Sequence, residues 1–113
     1  MTESVIQAVG GRVIMFRKIM EYDFKMGYLE LIKSDIEYET AIKQYNEDKK
    51  YYKMIIAYNC LDNILVGTGR MCLKTQKVDN IHLIEDTALY AEELEDVITE
   101  LLITYDFNKT VFL

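Results

Sequence analysis

The residues predict an α/β (α+β) fold, a mixed α/β sandwich in the order β-α-α-β-β-β-α-β. Three observations carry this reading. Leu94, Val97, Ile98, Leu101, Leu102 and Tyr105 recur at helical spacing, while Val13–Phe16, Met54–Tyr58 and Ile64–Val66 are short apolar runs of strand length. The chain has 113 residues, 50% hydrophobic and 28% charged, with no proline to announce a linker. That bounds it to one small domain with a modest core, residues 13–113, behind a loosely ordered leader at 1–12.

The elements follow in order. Val13-Ile14-Met15-Phe16, closed by Arg17-Lys18, reads as a first strand after the Gly10-Gly11 break. Phe24, Gly27, Tyr28, Leu31 and Ile32 make an amphipathic stripe, with Asp23 placed to accept from the free N–H groups as an N-cap. Tyr38, Ala41, Ile42 and Tyr45 repeat that spacing and predict a second helix over about 37–47. Met54–Tyr58 and Ile64–Leu73 flank the turn residues Asn59–Asn63 and predict a hairpin; Gly67 and Gly69 mark a bulge or a close backbone approach. Ile81–Leu89 reads as a further strand, then the long helix, then a last strand at Thr110-Val111-Phe112-Leu113.

Charge and cysteine content exclude several roles. Nineteen acidic against 13 basic residues give a net charge of −6, which opposes nucleic acid and anionic membranes alike. There is no apolar run of about 18 residues, and Met1-Thr2-Glu3-Ser4 lacks the positive start of a secretory signal. Two cysteines (Cys60 and Cys72) and one histidine (His82) offer no zinc pattern, so no metal site is expected. Two reduced thiols suit a cytoplasmic protein.

The chain resembles the GNAT superfamily of N-acetyltransferases, and within it the glucosamine-6-phosphate N-acetyltransferase branch. Three stretches carry the likeness: Phe16-Arg17-Lys18-Ile19-Met20-Glu21-Tyr22-Asp23-Phe24, the hairpin segment Val66-Gly67-Thr68-Gly69, and Leu83-Ile84-Glu85-Asp86-Thr87-Ala88-Leu89. The last is similar to the family's G-H-I-E-D-(I/V)-(A/V)-V strand. The resemblance spans roughly 14–113 and implies a GNAT-like mixed sheet with the C-terminal part of the fold missing. It also implies that Glu85 and Asp86 sit beside the substrate amine, position it and help deprotonate it for attack on the thioester of acetyl-CoA. As neighbours on a strand, the two carboxylates would point to opposite faces and would not form a close acid–base pair. Homodimers are implied too.

The chain departs from the family where the cofactor is held. The family opens its long helix with (Q/R)-x-x-G-x-(G/A), whose N–H groups bind pyrophosphate. Here the stretch is Tyr90-Ala91-Glu92-Glu93-Leu94-Glu95-Asp96, about four residues short, with Glu93 and Glu95 in place of glycines. Residues 78–108 hold nine Asp or Glu and no Lys or Arg. Glu92, Glu93 and Glu95 themselves answer the positive end of the helix dipole and repel a polyanion. The family's next helix, with its tyrosine acid, and two further strands have no counterpart before Leu113.

Other residues weigh less. His82 lies three positions before Glu85, on the other strand face, where the family's histidine lies two before. Cys60 and Cys72 have no basic neighbour in pattern to activate a thiolate. Tyr51, Tyr52 and Tyr58 suit packing or an interface. Lys43, Lys49, Lys50 and Lys53 gather near the end of the second helix, interleaved with Glu47 and Asp48 as a solvated loop. The apolar edge Thr110, Val111, Phe112 and Leu113 is the expected contact for a homodimer or a protein partner.

Together these observations predict a catalytically impaired, acetyltransferase-like protein with no cofactor. The alternatives are an active amino-sugar-phosphate N-acetyltransferase using acetyl-CoA through a rearranged loop, and an unrelated protein-interaction module.

Overall fold

The structure, a computed structural model, describes residues 4–107, apart from the side chain of Asp86. Five antiparallel strands lie in sequence order: β1 (Ser4–Val9), β2 (Arg12–Lys18), β3 (Tyr52–Asn59), β4 (Ile64–Cys72) and β5 (Val78–Leu83). The short helix α1 (Tyr28–Leu31) and the helix α2 (Tyr38–Asp48) occupy the connection from β2 to β3. The helix α3 (Ala91–Thr104) follows β5. The strand expected at Thr110–Leu113 lies outside the described residues.

Period-two alternation divides the sheet into two cores. On one face Ile14, Phe16, Ile55 and Ala57 pack with Leu94, Ile98 and Leu102 of α3. On the other, Met54, Ile56, Tyr58 and Leu65 meet Ile19, Phe24, Leu31, Ala41 and Tyr45 from the α1–α2 layer. The central strand β3 is covered on both sides, which explains its uninterrupted apolar run.

Both readings of the hairpin glycines hold. The β3–β4 register shifts between Ala57 and Tyr58, where Val66 is the extra residue just before Gly67. A Cβ on Gly67 would lie 2.8 Å from Leu83, and one on Gly69 2.8 Å from Ile98 of α3. The helix therefore sits where only glycine lets it sit.

Four sequence expectations are corrected. Residues 4–9 belong to β1 instead of a loose leader, because Gly10 and Gly11, at φ 56° and 76°, form the tight reversal that returns the chain to β2. The stripe from Phe24 is interrupted by Gly27 at φ 106°, leaving a 3₁₀ turn at Glu21–Lys25 and a single turn of α1. Asp23 is inside that 3₁₀ turn and wholly buried, so it does not precede a helix as its N-cap. The strand expected over Ile81–Leu89 runs instead from Val78 to Leu83 and passes into a 3₁₀ turn at Glu85–Thr87.

Candidate functional site

The end of β5 carries the carboxylates singled out in the sequence. Ile84 still donates its N–H to Val66 O at 3.0 Å, and the chain then turns. Thr87 closes the turn through its hydroxyl, which donates to Ile84 O at 2.7 Å, and through its buried side chain. Glu85 is exposed at the start of this turn. Glu85 and Asp86 are therefore in a turn and not on a strand, and the alternation of faces expected of them there is absent. His82 stays on β5, opposite Thr68.

The first turn of α3 begins seven residues after Ile84 and is tied to the β1–β2 reversal. The Glu93 carboxylate accepts the Gly10 N–H at 2.9 Å. The Tyr90 ring lies beneath Gly10, so closely that any Cβ at Gly10 would collide with it. Arg12 completes the contact, its guanidinium 4.5 Å from the Tyr90 ring centre and donating to Gly10 O at 3.1 Å. Glu92 and Glu93 fall in the first turn, with no side chain capping it from Tyr90, and Glu95 follows.

At the other end of α3 the Lys53 ammonium donates to the carbonyl oxygens of Leu102 at 2.8 Å, Leu101 at 3.3 Å and Tyr105. Lys53 is thus a cap for the negative helix end and not part of a solvated lysine loop. Burial lowers its pKa, opposed by the charge of Asp106. Beside it opens a cavity of about 360 Å³ between the ends of α2 and α3, floored by Met54, Ile55 and Met71 and edged by Lys49 and Tyr52. That volume suits a small molecule. The 14 residues of α3 separate this cavity from the Glu85 turn by about 20 Å, so the two do not form one site.

The most organised polar cluster escaped the sequence. Asp23, fully buried, accepts from Arg17 Nη2 at 2.6 Å and Nη1 at 3.0 Å, from the Tyr58 hydroxyl at 2.8 Å and from Met20 N at 2.7 Å. Two donors reach each carboxylate oxygen, and Tyr22 accepts a further bond from Arg17 at 2.8 Å. Burial, together with the Asp23 carboxylate, raises the Tyr58 phenol far above its usual value. A bidentate pair at this spacing is saturated and rigid, which suits holding the 3₁₀ turn against the sheet. The only signal in the sequence is an Arg at a strand end with an Asp six residues on.

The cysteines are free thiols. No basic side chain acts on Cys72; hydrogen bonding from the Thr75 hydroxyl and the Thr75 and Lys74 backbone lowers its pKa. Among the described residues no group of three His, Cys, Asp or Glu is placed to hold a metal ion. None of their helices is long and apolar enough to cross a membrane.

No family model matches the chain, and no curated protein matches it in sequence. Among solved structures it is similar to glucosamine-6-phosphate N-acetyltransferase from Arabidopsis thaliana, at TM-score 0.66 and 13% identity. The alignment covers 80% of this chain and 71% of that one. The fold is GNAT-like. At that identity the similarity carries the fold alone. In this GNAT-like frame, Glu85 and the acidic first turn of α3 flank the same β5–α3 connection.

Proposed function

We propose that this chain is a catalytically impaired acetyltransferase-like protein, cytoplasmic, that acts through binding or assembly. The observation supporting this is the first turn of α3. Where the resembling family needs glycine N–H groups for pyrophosphate, this chain has Glu93 and Glu95. Glu93 is engaged with Gly10, and Tyr90 fills the space beneath that glycine. The residues present do not fit the pyrophosphate of acetyl-CoA. A polyanion there would meet the charges of Glu92 and Glu93 and would have to displace a hydrogen bond that joins α3 to the β1–β2 reversal. The partner surface proposed with this reading is the strand edge at Thr110, Val111, Phe112 and Leu113.

A second reading is an active amino-sugar-phosphate N-acetyltransferase. It is favoured by the name of the solved neighbour and by the exposed Glu85 at the end of β5. Thiol release from acetyl-CoA in the presence of glucosamine 6-phosphate separates the two. The proposal expects no release above a protein-free control. Turnover that is lost in Glu85→Gln would establish the second reading instead.

A further inference from the structure

The cavity at the C-terminal ends of α2 and α3 lies at the far end of α3 from the Glu85 turn and has no part in the proposed function. Its floor is apolar and well covered, with Ile55 fully buried, Met71 6% exposed and Met54 9% exposed. Tyr45, Tyr52, Tyr105 and Phe107 bring aromatic rings to its lining. The Tyr45 hydroxyl is engaged with Ile19 O at 3.1 Å, so that ring offers the cavity its apolar body. Thioethers and aromatic rings together favour a flat, polarisable occupant over a branched one.

Charge at this cavity runs against the rest of the molecule. Acidic residues outnumber basic ones 19 to 13 in the chain, yet among the described residues the lining holds Lys18, Lys49 and Lys53 against Asp106 alone. The negative ends of α2 and α3 also face this region, each equivalent to about half an elementary charge, and neither helix has a basic residue in its last turn. Three ammonium groups set against one carboxylate and two helix ends leave about one positive charge. An ammonium has three donors, and those of Lys53 go to the carbonyls of Leu101, Leu102 and Tyr105. Lys49, by contrast, is exposed at the cavity's edge, lies 5.4 Å from the Tyr45 ring centre and makes no ion pair among the described residues.

We infer that this cavity binds a small planar aromatic carboxylate, its ring over Met54 and Met71 and its carboxylate toward the Lys49 ammonium. The volume of about 360 Å³ suits a ligand of one or two fused rings. A monoanion matches the single residual positive charge. A phosphate dianion exceeds it, and the lining has neither an arginine fork among the described residues nor a helix N-terminus to hold one. The net charge of −6 repels the same anion from the rest of the surface, which adds to the preference for this one place. The inference goes beyond the proposed function, since it holds whether or not the chain acetylates anything.

The test is titration of 2-naphthoate into the full chain at low salt, followed by amide chemical shifts up to about 2 mM ligand, a range that detects sub-millimolar constants. Saturable shifts are expected at Met54, Met71 and Ile103, and none at Glu85. The neutral isostere 2-naphthamide should bind about fivefold more weakly, the upper range for one exposed charge pair. Lys49→Gln, an exposed change that leaves the core intact, should weaken 2-naphthoate about threefold and leave 2-naphthamide unchanged. The inference is overturned if those three amides do not shift, if acid and amide bind equally, or if Lys49→Gln weakens both alike. Tighter binding of 2-naphthylmethylammonium would also overturn it, by showing that the negative helix ends prevail. Equal affinity for octanoate would overturn the aromatic assignment and make the cavity a site for an aliphatic chain.

Discussion

The two faces of the sheet deal with charge in opposite ways. On the α3 face, hydrocarbon fills the interior and charge is confined to the helix ends. Glu93 there holds the Gly10 amide, and Lys53 holds the last carbonyls. On the α1–α2 face a full ion pair lies inside the layer, with Asp23 wholly buried and the Arg17 side chain 12% exposed. The first arrangement uses the macrodipole of one long helix. The second is needed because the 3₁₀ turn and the single turn of α1 are too short to hold themselves, so a buried carboxylate collects four donors that fix them. The long helix has its charged side-chain bonds at its ends; the short irregular segment has them at its centre.

Asp23→Ala breaks the contrast most severely. It strands the Arg17 guanidinium and the Tyr58 hydroxyl, and removing one partner of a buried pair costs about 3–5 kcal/mol. Urea unfolding should show that loss, and a loss below about 1 kcal/mol, the range of an exposed pair, would mean that the pair is effectively solvated. Lys53→Met retains an unbranched stem but uncaps α3; about 2 kcal/mol is expected, since hydrogen bonds to charged groups are among the stronger ones. The same unfolding experiment with Glu93→Gln should register under about 1 kcal/mol, as the Gly10 contact is exposed.

A pH series sharpens the difference further. Burial and Asp23 raise the Tyr58 pKa, so folded Tyr58 keeps its proton where the unfolded chain releases it. The contribution is complete below the ordinary tyrosine value of about 10 and declines as pH rises beyond it. Tyr28 and Tyr45 are raised too, chiefly by burial, and act in the same direction. Tyr58→Phe should flatten part of the decline in stability above about pH 10. An unchanged slope would show that Tyr58 ionises freely.

The same contrast explains what could be read from the residues. The stripe from Leu94 to Tyr105 and that from Tyr38 to Tyr45 correspond to α3 and α2, because a helix buried on one face leaves a periodic signature. The β3–β4 hairpin was legible for a similar reason. β1 was not, since Ser4–Val9 is an edge with polar and apolar residues exposed together, and its status depends on Gly10-Gly11 acting as a turn. The 3₁₀ turn at Glu85–Thr87 was hidden because Ile84-Glu85-Asp86-Thr87-Ala88-Leu89 has no helical period over so few residues. Asp23 read as an N-cap, a local role that the fold does not give it; its partner Tyr58 is 35 positions away and only folding brings the two together. The acidic first turn of α3 was visible directly; its bond to Gly10 was not.

Calorimetric titration of acetyl-CoA into the protein at low salt tests the central claim most directly, because low ionic strength gives charge its fullest effect. The acidic first turn of α3 predicts no detectable heat. Binding tighter than about 100 μM would contradict it and show that other groups on this fold hold the cofactor.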